Sequence, residues 1–132
     1  MKNAIERLAE AIGYPDGVPE DAKSFVFKVD DRLVRARLSG GRLVLQWDFP
    51  EGVPLEPLAG FAAGRILREE AVLAWDPATE RAILWQGAAS GADAKDLVKA
   101  FQSFLNSRDW WETRVEELSA PKAKLADLVI TP

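Results

Sequence analysis

The chain has 132 residues, 48% hydrophobic and 29% charged, which suits one globular domain with a single core and excludes a disordered chain. Seventeen Lys and Arg against 21 Asp and Glu leave a net charge of −4, which argues against general nucleic-acid binding, because neutralising phosphates needs a basic surface. With no Cys and no His, disulfides, thiolate metal sites and the usual general base are excluded, so an enzyme here would depend on carboxylates, Lys, Ser, Thr or Tyr14.

No apolar run reaches the ~20 residues that span a bilayer. The opening MKNAIERLAEAIG mixes Glu and Arg into its apolar pattern and lacks the apolar stretch of a signal peptide, so a cytoplasmic protein without membrane contact is expected. Ile5, Leu8, Ala9 and Ile12 recur at helical spacing. Asn3 and Glu6 make a capping box with Asn in place of Ser or Thr, and Gly13 stops the helix. Tyr14–Lys23, with two Pro and several acids, reads as a loop.

Ser24–Phe49 reads as three strands joined by tight turns at Asp30-Asp31 and Ser39-Gly40-Gly41. One face of this meander is apolar: Phe25, Phe27, Val34, Ala36, Leu43, Leu45 and Trp47. The other is mixed: Val26, Lys28, Leu33, Arg35, Arg37, Val44 and Gln46. Such alternation marks an antiparallel sheet with one buried face. Pro50–Pro57 reads as a connection and Leu58–Glu69 as a weak helix. Gly60 and Gly64 lie four apart on one side of it, where each costs ~1 kcal/mol relative to Ala. Either another backbone comes close there or the helix is irregular.

Ala71–Gln86 holds two apolar runs, each with a Trp, around Asp76-Pro77-Ala78-Thr79-Glu80, and reads as a β-hairpin. Leu73 and Trp75 share one face, Val72 and Ala74 the other; both are apolar, so the hairpin belongs inside a layered domain or against a partner. Ser90 and Asp93 make a helix-start signal. The helix after it, about Asp93–Leu118, carries the stripe Leu97, Phe101, Phe104, Leu105, Trp111, Val115 and Leu118, interrupted by the polar Asn106-Ser107-Arg108. Residues 119–132 are expected to form a C-terminal tail beyond a single domain of residues 1–118. The fold class is therefore α+β, a five-stranded antiparallel sheet with helices in the order α-β-β-β-α-β-β-α.

No phosphate-binding loop and no dinucleotide fingerprint occur, and no cofactor or metal is expected. The carboxylate pairs Asp30-Asp31, Glu69-Glu70 and Glu116-Glu117 read as solvated neighbours, not acid–base pairs.

With this element order, the chain resembles the class I chaperones of bacterial type III secretion, the Tir-chaperone family. The likeness covers about residues 3–118. It rests on the element order, on the opening helix ending in IGYP, on the hairpin VLAWDPATERAILWQ and on the helix DLVKAFQSFLNSRDWWETRVEEL. The resemblance implies a homodimer that binds an extended N-terminal segment of a secreted effector and keeps it fit for export without ATP. It places the dimer contact on the second helix and the first strand of the hairpin: Leu58, Gly60, Phe61, Gly64, Leu73 and Trp75. The mixed sheet face offers a client surface of Val26, Leu33, Arg35, Arg37, Val44 and Gln46, where an extended segment could cross the sheet or add a strand. Two other readings stay open: a non-chaperone interaction module such as an immunity protein or secretion regulator, and a small enzyme or carrier with a Trp-lined cavity.

Overall fold

A computed structural model describes residues 2–63 and 70–130. Helix α1, Ala4–Ala11, opens on the expected capping box: the Asn3 side chain accepts from the Glu6 N–H at 3.0 Å, and the Glu6 carboxylate accepts from the Asn3 N–H at 3.0 Å. The Asn3 amide also donates to the Ala22 carbonyl at 2.9 Å, which ties the following loop to the helix start. Gly13 ends the helix at φ +67°, a conformation that favours a residue without Cβ. Asn3→Ala removes the cap and the loop tie together. A loss of about 1–2 kcal/mol is expected in urea unfolding, with Asn3→Asp restoring most of it through the cap alone.

Strands β1 (Ser24–Val29), β2 (Arg32–Ser39) and β3 (Arg42–Asp48) form the meander. Asp30 and Asp31 have φ of +51° and +65°, and Gly40 and Gly41 of +56° and +75°. Two consecutive positive φ values make the two-residue turn whose twist matches paired strands, so both hairpins are held in fixed register. Helix α2 spans Leu55–Ala63. It begins three residues before the expected Leu58, because Pro57 falls in the first turn, where its missing N–H would have had no partner.

Strand β4 (Val72–Asp76) and strand β5 (Arg81–Ala89) form the expected hairpin, and the Asp76 carboxylate accepts from the Ala78 N–H at 3.0 Å inside the turn. The sheet order is β1-β2-β3-β5-β4, with every pairing antiparallel. The connection through α2 therefore carries the chain past β3 to the far edge, and β5 returns to fill the gap. Within the chain, β5 is interior and β4 is an edge strand, so of the two expected settings for the hairpin β5 has the layered one and β4 is left to the partner one.

Helix α3 runs from Ala94 to Ile130, twelve residues beyond the expected end at Leu118. Its N-cap is Asp93, whose side chain accepts from the Asp96 N–H at 2.9 Å, so Asp93 and not Ser90 supplies the start signal.

The core lies between one sheet face and helices α1 and α3. Ile5 and Leu8 meet Phe27, Val34, Ala36, Leu43, Leu45 and Leu84 from the sheet, and Leu97, Phe101, Phe104 and Trp111 from α3. Tyr14 joins this layer from the loop, its ring edge-on to Phe25 and Phe27 at 5.6 and 5.1 Å and its hydroxyl accepting from the Lys28 N–H at 3.2 Å. The polar interruption of α3 is a bracket. Arg108 is buried with its guanidinium 5.0 Å over the Trp47 ring, 3.0 Å from Glu112 and 3.5 Å from Asp109, and Asp109 takes Arg32 of β2 at 2.7 Å.

Candidate interaction surface

The sheet face away from α1 and α3 carries the residues of the mixed pattern. Register sets Val26, Arg35, Gln46, Trp85 and Val72 in one row across all five strands. Three large apolar residues stand open on this face, Leu33 at 53%, Val26 at 48% and Val72 at 45% exposure. A groove of about 230 Å³ runs between Val26, Leu33, Arg35, Gln46, Trp47 and Asp48.

The six residues expected to meet a client do not stand alike. Val26, Leu33, Arg35 and Arg37 are accessible. Val44 and Gln46 are only 8% and 7% exposed, although Gln46 still lines the groove. They sit on the central strand, with Arg37 and Arg35 directly across on one side and Gly87 and Trp85 on the other, so long neighbouring side chains close over them. Arg35 is held 3.5 Å from Asp48, which also accepts from the Gln46 amide at 2.8 Å. Trp85 and Val72 complete the face and were missed. Alternation puts Val72 opposite in sense to Leu73, but only the β3–β5 pairing joins the hairpin to the meander.

The residues expected at a dimer contact divide as well. Leu58 is fully buried in the core of its own protomer, which corrects its assignment: an α2 stripe pointing inward cannot also meet a second chain. Phe61 is half-buried, edge-on to Trp110 at 6.3 Å. Gly60 faces open space, with nothing within 4 Å of where a Cβ would stand. Trp75 is 43% exposed on edge strand β4, with Leu73 half-buried beside it. Gly64 lies outside the described residues.

A second cleft, of about 550 Å³, opens between the start of α1 and the β2–β3 and β5–α3 turns, lined by Lys2, Asn3, Arg7, Arg42 and Ser90 among others. Two of its three cations are committed, and the third, Arg42, belongs to β3. Lys2 pairs with Glu10, whose hydrogen bond and charge raise the ammonium pKa above the usual lysine range. Arg7 donates to the carbonyls of Ser90 and Ala92. The tryptophans do not converge on a cavity: Trp47 and Trp111 pack on Phe49 at 4.5 and 5.8 Å in the core, and Trp110 stacks edge-on to Trp111 at 5.1 Å. Among the described residues, no group of three His, Cys, Asp or Glu could hold a metal ion, and no helix is long and apolar enough to cross a membrane.

No family model matches the sequence, and no curated protein matches it. Solved structures do match. A chain of the HopA1–SchA chaperone–effector complex aligns over 82% of this chain and 89% of its own, with a TM-score of 0.64 at 14% identity. A chain of the ExsC–ExsE complex aligns over 83% and 89%, with a TM-score of 0.61 at 19% identity. A chain of the ExoT–SpcS complex of Pseudomonas aeruginosa aligns over 80% and 91%, with a TM-score of 0.61 at 16% identity. At these identities the likeness is one of fold. The α-β-β-β-α-β-β-α order around a five-stranded antiparallel sheet is the fold shared with these chains.

Proposed function

We propose that this chain is a cytosolic type III secretion chaperone. As a homodimer it binds an extended N-terminal segment of a secreted effector and holds it fit for export without ATP. Residues 1–118 form the working domain. The observation that carries this reading is the fold, shared over four-fifths of the chain with structures of chaperone–effector and related complexes. The open apolar residues Val26, Leu33 and Val72 support it, because a chain that must order itself on binding needs a broad apolar surface to meet the entropy cost.

The test is expression of the tagged chain in its native organism under secretion-inducing conditions, with identification of the protein held. One secreted effector is expected to co-purify, and deletion of its N-terminal region to end the capture. Capture that survives this deletion, or no secreted protein at all, overturns the reading.

A further inference from the structure

Arg37 and Arg42 occupy the end of the open sheet face opposite the apolar groove. Among the described arginines they are the two without an acidic or carbonyl partner. Arg32, Arg35, Arg81, Arg108 and Arg114 all meet carboxylates, and Arg7 meets two carbonyls. Register explains why no carboxylate reaches the pair. Arg37 lies between Ser24 and Val44, and Arg42 between Ser39 and Ala89, so their cross-strand neighbours are neutral. The two are diagonal neighbours on adjacent strands, a placement that sets like charges against each other. In a chain with 21 acids and 17 bases, an uncompensated pair is not a by-product of composition.

Arg42 is also positioned. Its side chain lies over Gly87 of β5, where a Cβ would stand 3.3 Å from Arg42 Nη1, 3.6 Å from Cδ and 3.7 Å from Trp85 Cζ3. The absent side chain at 87 leaves a slot that lays the guanidinium across the sheet beside Trp85.

We infer that Arg37 and Arg42 form an acid-reading subsite on the open sheet face, which selects a partner segment bearing Asp or Glu a fixed distance from an apolar anchor. This rests on the chaperone reading and names the chemistry of its client. The spacing follows from β2. Arg37 is four residues beyond Leu33, and Arg42 is level with Ser39, six beyond it. At about 3.3 Å per residue these are ~13 and ~20 Å. An extended segment lying along β2 has the same rise, so an apolar residue over Val26 and Leu33 puts its residues four to six positions away over the arginines. Side chains two apart share a face, so both ends can be engaged at once.

The test selects a random-peptide display library on the purified full-length chain at about 50 mM salt, where surface charges are weakly screened. Expected is enrichment of an apolar residue with Asp or Glu four to six positions away. Arg37→Ala with Arg42→Ala is expected to erase the acidic preference, keep the apolar one and weaken a selected peptide about tenfold, shrinking toward parity at about 500 mM salt. Gly87→Val should weaken the same peptide by displacing Arg42, and Lys99→Ala, at an exposed cation on α3 away from the open sheet face, should not. All four substituted positions are exposed or on a strand surface, and a thermal melt confirms that each variant folds. Selected peptides without acidic bias, an unchanged bias in the double variant, or no enrichment overturns the inference. Effector capture from the native cell is read separately, so either idea can fail alone.

Discussion

Phe27→Ala is expected to remove about 3–5 kcal/mol of stability, a large share of the 5–15 kcal/mol typical of a domain. Phe27 is fully buried at the centre of the β1 side of the core. Its ring meets Tyr14 at 5.1 Å, Phe25 at 5.0 Å and Phe101 at 5.6 Å, so one side chain joins the loop after α1, the edge strand and the long helix. Truncation leaves a cavity between elements that cannot collapse together, because β1 is pinned to β2 through Val29 and Arg32 and its Lys28 N–H is held by Tyr14. Phe25→Ala, at a half-buried position on the same face, should cost clearly less. Urea unfolding compares them directly. Equal midpoint shifts would mean that Phe27 is not the joint between these layers.

The elements legible from sequence are those fixed by local chemistry. The Asn3–Glu6 box, the Gly13 stop, the Asp30-Asp31 and Gly40-Gly41 turns and the α3 stripe are each set by a few adjacent residues, and each stands where it was expected. What stayed hidden depends on partners far along the chain. The β3–β5 pairing is long-range, and without it neither the exposed edge of β4 nor the row from Val26 to Val72 can be seen. The same gap hid the low exposure of Val44 and Gln46. Alternation assigns a face, but burial on that face depends on the size of the neighbours across the strand. Leu58 was misread for a related reason: the stripe of a short helix tells which residues share a side, not whether that side meets its own sheet or a second chain. The client face was read as an Arg35 and Arg37 surface. Asp48, thirteen residues from Arg35, neutralises the first and shifts the free charge to Arg37 and Arg42.

The proposed dimer is tested by substitutions that the protomer itself tolerates. Trp75 lies on the edge strand with nearly half its surface open, although it faces the same side as the core-facing Leu84 and Ala82. An edge strand with an open Trp and unpaired backbone groups invites pairing with a second chain unless something covers it. Gly60 stands on α2, which contacts β4, and its surroundings within the protomer are empty. Trp75→Asp should weaken self-association about thirtyfold or more, as expected for a buried Trp anchor. Gly60→Trp should do the same by overpacking a helix crossing, whereas Gly60→Ala, if the position stays solvent-facing, should stabilise the chain by up to about 1 kcal/mol through helix propensity alone. Sedimentation at micromolar concentration reads the outcome: wild type at twice its 14.6 kDa, both bulky or charged variants at the monomer mass, with unfolding midpoints of the separated protomers unchanged. A wild-type monomer removes the dimer from the proposal. A dimer that survives both substitutions moves the contact away from α2 and β4.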